Sequence, residues 1–279
     1  MGMKKLLKML IIFISVFYFL VPLPIKASAV GIEKLSVRSK FYTSFNLDLQ
    51  ERTHNIKLAT KSLDKTLIEP NAEFSFNLRV GERTEKRGYK KATVISLGEF
   101  TEGVGGGVCQ VSTTLYNAFL TAGLTITEYH PHSLPVNYVA PSFDAMVSYG
   151  YADLKAVNCT NYPVIIRACV ENNRIIITIK GEPLTEKYVR KSVVTEIVAP
   201  ELPQVVVDVD FNYPELKKGE QMFLVYPKDG VKSTGEVIKV LPNGKEISVF
   251  KRKDFYRPTR GKIIQGISEI QPREIEIQI

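Results

Sequence analysis

The sequence predicts an α+β fold: a mixed helix and antiparallel-sheet domain of catalytic type, followed by a small all-β module. Three observations predict it. Two segments, 53–68 and 109–122, repeat apolar residues at helical spacing. Short alternating or β-branched runs surround both segments. Beyond about residue 200 the strand and turn signals continue with no helical period. The 279 residues are 44% hydrophobic and 24% charged, enough to bury a sizeable core and too ordinary for long disorder. The expected division is an N-terminal segment 1–29, a main domain 30–195 and a β-rich module 200–279.

The first segment reads as an export signal. Lys4, Lys5 and Lys8 make a positive start, 9–21 is an apolar run interrupted by Ser15, and Ala27-Ser28-Ala29 fits a small-x-small cleavage site behind Pro22 and Pro24. Cleavage after Ala29 is the favoured reading. An uncleaved anchor is the alternative, because 9–25 is almost long enough to span a bilayer. Either way the remainder is expected to work outside the cytoplasm. ATP and NAD are absent there, so the expected chemistry is hydrolysis or group exchange with no cofactor. The net charge is +8, and Lys4, Lys5, Lys8 and Lys26 of that excess lie in the first segment. A mildly basic mature chain suits an anionic envelope polymer. No arginine–aromatic cluster or basic helix points to nucleic acid.

Residues 53–68 are expected to form an amphipathic helix with Ile56, Ala59, Leu63 and Leu67 on one face, closed by the turn Pro70-Asn71. Phe74-Ser75-Phe76 alternates as a short strand. Gly81, Gly88 and Gly98 punctuate a loop-rich stretch with a strand at 91–97. A second helix carries Val111, Leu115, Ala118, Phe119 and Ala122 on its apolar positions and stops at Gly123. Residues 125–129 alternate as a strand, His130-Pro131-His132-Ser133 is a proline-stiffened loop, and 145–150 reads as another strand. Residues 163–170 and 174–180, joined by Glu171-Asn172-Asn173, form a hairpin. A run rich in Glu, Lys and Pro up to Pro203 reads as a boundary. Strands follow at 204–209, 221–226, 235–241 and 246–250, the last two joined by the turn Pro242-Asn243-Gly244-Lys245. This last part holds no histidine or cysteine and is not expected to carry the chemistry.

The stretch Gly105-Gly106-Gly107-Val108-Cys109-Gln110 places a cysteine at the first turn of the second helix. Unpaired N–H groups and the positive end of the helix dipole stabilise an anion there, so a thiolate gains nucleophilic character. The glycines permit a positive φ and are expected to leave room for a substrate against the main chain. A buried structural cysteine after a glycine turn is the plainer reading. A cysteine nucleophile needs a base, and there are three histidines. His54 reads as a surface residue. His130 and His132 follow the strand after the Cys109 helix, and an antiparallel return brings that strand's end near the helix start. His132 is the better candidate, because Pro131 directs it into a loop. Asp144 is the nearest carboxylate to orient the imidazole, with Asp153 and Glu128 as competitors.

Cys159 and Cys169 flank the apolar run Val164-Ile165-Ile166 and could pair, leaving Cys109 as the odd thiol; three free cysteines are the alternative. Metal binding is disfavoured, since no C-x-x-C or helical H-x-x-x-H occurs. The glycine run lacks the lysine–serine ending of a phosphate loop.

Taken together, Phe74-Ser75-Phe76-Asn77, Gly81-Glu82-Arg83-Thr84 with Gly88-Tyr89, the run from Gly105 to Tyr116, His132-Ser133 and Asp144-Ala145 resemble the VanW domain family. The resemblance covers roughly residues 50–182, and its Gly-Gly-Gly-x-Cys-Gln-x-Ser-Thr-Thr-Leu-Tyr run is long and specific. The family is named from vancomycin-resistance clusters and comprises exported proteins of mainly Gram-positive bacteria. Some multidomain wall proteins use such a domain as an L,D-transpeptidase with the motif cysteine as nucleophile. The resemblance therefore implies Cys109 as nucleophile, His132 as base, and Arg83, Gly107, Gln110 and Ser133 as substrate or oxyanion contacts. The implied substrate is a peptidoglycan stem peptide, and the implied product a 3–3 cross-link. Backbone N–H groups near Cys109 and Gln110 would hold the oxyanion. Asn71 and Ser142 depart from the family pattern, which commonly has glycine at both positions; Ser142 precedes the loop that carries Asp144. Beyond 200 the chain loosely resembles a small β-rich module of cell-surface proteins. Two other classes remain: a cysteine peptidase of NlpC type, with the same order of cysteine and histidine, and a non-catalytic peptidoglycan-binding protein in which Cys109 is structural.

Overall fold

The computed structural model describes residues 35–96 and 98–267; the expected export signal lies outside them. The mixed helix and antiparallel-sheet architecture is present. A four-stranded sheet takes the order β1 (Ser36–Ser44), β9 (Arg174–Gly181), β8 (Val164–Glu171), β2 (Thr66–Ile68), with each neighbouring pair antiparallel. Ile175, Ile177 and Ile179 alternate inward along β9, as a half-buried strand requires. Helix α3 (Val108–Ala122) packs on β1 and β9 and also touches α1 (Gln50–Leu63). Every residue of α3 except Cys109 and Thr121 is buried, so this is the central helix of the core. Its polar residues are satisfied internally; Ser112 donates to the Ala145 carbonyl at 2.6 Å and Asn117 to the Phe143 carbonyl at 2.7 Å.

Three smaller sheets and a hairpin surround this core. One sheet joins β3 (Glu73–Ser75), β7 (Lys155–Val157) and β6 (Thr125–Glu128). A hairpin joins β4 (Lys91–Ser96) and β5 (Glu99–Val104), and the short helix α2 (Phe76–Val80) follows β3. Strands β10 (Lys187–Val198), β13 (Gly230–Val240) and β14 (Glu246–Tyr256) form an antiparallel sheet. Strands β11 (Gln204–Val207), β15 (Lys262–Gln265) and β12 (Gln221–Val225) form the last one, with β11 and β15 parallel. The boundary expected near 195–200 falls at the end of β10, whose partner β13 lies beyond it.

Several local expectations change. The first helix spans Gln50–Leu63 rather than 53–68. Asp64 is extended and Lys65 adopts φ 61, which ends the helix. The Asp64 carboxylate then accepts from Arg167 Nε at 2.9 Å and from the Ala168 N–H at 3.0 Å, drawing the chain onto β8. Leu67 therefore sits exposed on β2 instead of inside the helix stripe. Residues 145–150 form no ladder. Their backbone is held by α3 side chains and by His130, whose carbonyl accepts from the Met146 N–H at 2.7 Å. The run before Pro203 is a twelve-residue strand for most of its length. Its inward positions include Arg190 and Ser192, which hide the alternation from an apolar pattern search.

The suggested Cys159–Cys169 disulfide is absent: all three cysteines are free. Cys169 lies well along β8, whereas Cys159 precedes that strand and meets the Gly123 carbonyl at 3.4 Å. At about 3.3 Å per strand residue, the separation along β8 far exceeds the 4.4–6.8 Å Cα spacing a disulfide tolerates.

Candidate functional site

Cys109 occupies the second position of α3. Gly107 caps the helix at φ 104, and a Cβ there would come within 2.9 Å of Ile56 and 3.0 Å of Arg52. Gly105 has φ 89, and its missing Cβ is filled by Arg83 at 2.9 Å. At Gly106 a Cβ would meet the Thr93 carbonyl oxygen at 2.6 Å. The triple glycine thus serves close packing of α1, β4 and Arg83 against the turn. An added Cβ would run into the protein itself, while the main chain of Gly105, Gly106 and Gly107 borders the cleft at Cys109.

The Cys109 thiol donates to the Val147 carbonyl at 3.4 Å, and its sulfur is coupled electrostatically to the His132 imidazole. His132 is buried, and its Nδ1 meets Asp144 Oδ2 at 2.7 Å, which leaves Nε2 for the thiol. The same carboxylate oxygen accepts the His132 backbone N–H at 2.7 Å. Asp144 Oδ1 accepts the Tyr256 hydroxyl, and Arg252 Nη1 donates to the Asp144 carbonyl at 2.8 Å. Arg252 is fixed in turn by a two-pronged pair with Asp254 at 2.7 and 2.8 Å.

Electrostatics follow from that order. Burial opposes charge on Asp144, but the His132 hydrogen bond and charge, then Arg252 and Tyr256, hold its carboxyl below the usual range. Burial lowers His132, yet its bonds to Asp144 and Cys109 outweigh this and push it up to about 9. Burial raises Cys109, and the bond to His132 with its charge more than reverses that, with Arg83 adding to the effect. The three groups therefore favour a thiolate–imidazolium pair backed by a carboxylate.

A cleft of about 650 Å³ opens on the thiol side, with Arg52, Arg83, Cys109, His132, Tyr138 and Tyr149 on its walls. Arg83 Nη1 donates to Asn77 Oδ1 at 2.7 Å and to the Gly81 carbonyl at 2.9 Å. Arg52 Nη2 donates to Gln110 Oε1 at 3.0 Å. The Gln110 amide also donates to Thr43 Oγ1 at 3.1 Å and the Ser44 carbonyl at 2.8 Å. Its side chain is thus fully engaged, and it positions Arg52. The Gln110 N–H is bonded to the Gly107 carbonyl at 3.1 Å, so it is not open for an oxyanion. The Cys109 N–H meets no backbone acceptor among the described residues and is an orphan donor of the first turn.

Of the expected residues, the structure brings Cys109, His132 and Asp144 together and places Arg83, Gly107 and Gln110 on the cleft. Ser133 is not among the cleft-lining residues, and its carbonyl accepts from the Arg257 N–H at 2.7 Å. Asp153 is engaged by Ser75, Asn77 and Leu154, and Glu128 by His130 and Lys155, so neither competes for His132. His54 is bonded to the Gly88 carbonyl at 2.9 Å, away from Cys109. Ser142, the departure before Asp144, has φ 62; its N–H donates to Tyr256 and its hydroxyl pairs with Ser233. Asn71 has φ 61, so both positions are left-handed turns where glycine would sit without strain.

Three residues were not anticipated. Arg52 lies one turn ahead of Ile56 on the buried stripe of α1, and an arginine at that spacing was the available signal. Arg252 and Tyr256 continue β14 beyond the expected strand end, at alternate positions facing Asp144. Among the described residues no cluster of three or more His, Cys, Asp or Glu is arranged for a metal. No helix among them is long and apolar enough to cross a membrane.

A thiol at the start of a buried helix, an imidazole against it and a carboxylate behind it define a Cys–His–Asp site on an α+β scaffold. Residues 51–180 match the family model described as VanW like protein, so this segment of the chain is similar to the VanW family. It is 44% identical over 152 residues to the uncharacterized protein YoaR of Bacillus subtilis (strain 168), covering 54% of this chain and 50% of that protein. It is 34% identical over 140 residues to the vancomycin B-type resistance protein VanW of Enterococcus faecalis (strain ATCC 700802 / V583), covering 48% of this chain and 51% of that protein. The chain thus spans about half the length of each of these relatives.

Proposed function

We propose that the chain is an exported cell-wall acyltransferase of L,D-transpeptidase type. The observation that carries this reading is the His132 imidazole set between the Cys109 sulfur and the buried Asp144 carboxylate. The Cys109 thiolate attacks the carbonyl carbon that joins the third stem residue to a terminal D-Ala. The oxyanion takes the orphan N–H of Cys109. The C–N bond breaks as His132 gives its proton to the departing amine, leaving a thioester and free D-Ala. An amine from a second stem then attacks the thioester. His132 takes that amine's proton, the C–S bond breaks, and the thiolate returns with a new peptide bond made. The free energy of the broken peptide bond is kept in the thioester, so no ATP is required. Asp144 keeps Nδ1 protonated and Nε2 facing the sulfur throughout.

The test is incubation of purified protein with tetrapeptide-stem muropeptides, followed by chromatography and mass analysis. The expected products are 3–3 dimers and free D-Ala, absent with Cys109→Ala. Tripeptide monomers without dimers would instead identify a hydrolase. Unchanged muropeptides that co-sediment with the protein would identify a binding module. Export is checked separately by intact mass of the secreted protein, with Val30 expected as the mature N-terminus.

A further inference from the structure

Two arginines border the Cys109 cleft, and no carboxylate pairs with either among the described residues. Each uses a single terminal nitrogen on the protein. Arg83 Nη1 is held by Asn77 and Gly81, and Arg52 Nη2 by Gln110. The remaining fork of each guanidinium has no protein acceptor. Both are half-buried rather than waving in solvent, and each is fixed by a neutral oxygen that orients without neutralising. Both guanidiniums feel the charge of the Cys109 thiolate, but their free forks have no protein acceptor, and a planar guanidinium is matched by a carboxylate accepting two hydrogen bonds. Tyr138 stands on the same wall, and burial, then the charge of Cys109, pushes its phenol above the usual value, so it stays a neutral donor. Glu82 and Lys228 also border the cleft. Asp153 lies near Arg83, but its oxygens are engaged by Ser75, Asn77 and Leu154.

We propose that Arg52 and Arg83 form a carboxylate-binding subsite beside Cys109 that holds the free α-carboxylate of the acyl donor's terminal residue. This rests on the acyl-transfer reading. In a one-residue leaving group the carboxylate lies within roughly 4 Å of the scissile carbonyl carbon, and each further residue adds about 3.3–3.6 Å. Guanidiniums on the same cleft as the thiol therefore select a terminal residue over an internal peptide bond. Arg52 is a specificity residue under this proposal, and Gln110 positions it.

The experiment has two arms on the intact mature chain. In the first, Cys109 is alkylated with iodoacetate and with iodoacetamide, and the ratio of rates is compared with that of exposed Cys159. The expected ratio for Cys109 is at least fivefold higher. Arg52→Gln and Arg83→Gln each reduce it, and the double variant reduces it furthest, leaving only the part due to the His132 imidazolium. Arg83→Gln leaves the Gln110 bond untouched, so the arm survives a folding defect in Arg52→Gln. A ratio equal to that of Cys159, or one unmoved in the double variant, overturns the subsite. In the second arm, a stem tetrapeptide acid and its C-terminal carboxamide are compared as acyl donors. The acid is expected to acylate Cys109 at least tenfold faster, with the difference in KM. Equal acylation by both overturns the subsite and leaves the acyl-transfer reading standing. No acylation by either, with the iodoacetate preference intact, overturns the acyl-transfer reading and leaves an anion subsite.

Discussion

His132 separates two regions that treat charge in opposite ways. Behind it, Asp144 is closed in: His132 takes one oxygen twice, Tyr256 takes the other, and Arg252 grips its carbonyl. In front, Cys109 borders an open cleft, with two guanidiniums whose donors are only partly engaged. The back is a finished hydrogen-bond network and fixes the ring; the front has valence left over for something not in the chain. The two regions also differ in origin. Cys109, His132, Asp144, Arg52 and Arg83 all lie within 51–180, the family-matched segment. Arg252 and Tyr256 come from β14, well outside it. The family-matched segment therefore carries the Cys–His–Asp groups, and the C-terminal strand supplies the wall that holds their carboxylate.

The largest effect is expected from breaking that wall. Arg252→Ala leaves the buried Asp254 carboxylate without its partner and removes a donor from the Asp144 carbonyl. Losing one side of a buried pair costs about 3–5 kcal/mol, to be read as a lowered urea midpoint. Deleting the chain beyond 200 removes Arg252 and Tyr256 together and strips β10 of its partner β13, so it should impair the site as well as the fold. Tyr256→Phe is milder. It removes one hydrogen bond to a buried carboxylate and unpairs the Ser142 N–H, for a loss of about 1.5–3 kcal/mol.

A pH titration sharpens the same contrast. In a Cys109→Ala background the thiol no longer titrates, and the His132–Asp144 pair can be followed alone. The raised pKa of His132 means its contribution to stability is fully present below about 6.5. That contribution is lost as pH rises through the folded value, about 9 in the wild-type chain. Adding His132→Asn should flatten this alkaline decline. A decline of equal slope in both variants would assign it to other groups. The smallest effect is expected from Cys159→Ser and Cys169→Ser, both exposed and unpaired, within about 0.5 kcal/mol of wild type by thermal unfolding.

The front of the site was legible in the sequence because it is local. Gly107, Cys109 and Gly123 mark the two ends of α3, and the apolar spacing between them fixes the helix. His132 and Asp144 follow within one short loop, so sequence distance stood in for spatial distance. The back was not legible. Arg252, Asp254 and Tyr256 alternate along β14, and alternating charge on a strand reads as a solvent face until a partner is known. The polar inward face of β10 hid a long strand for the same reason. The glycine run is legible as a turn that borders the cleft, but the missing side chains also make way for Ile56, Arg83 and the β4 backbone. Steric exclusion by distant chain is invisible in a local pattern.

The most direct test of an activated Cys109 is its alkylation rate by iodoacetamide as a function of pH, with Cys159 and Cys169 as internal references. In the wild-type chain the Cys109 midpoint should fall below the ordinary thiol value of about 8.5, and its rate near pH 7 should exceed both references at least tenfold. His132→Ala should raise the midpoint, because burial then acts on the thiol with only Val147 and Arg83 left to oppose it. Equal rates at all three cysteines, or a Cys109 profile that His132→Ala leaves in place, would contradict the account and make Cys109 the packed start of a core helix.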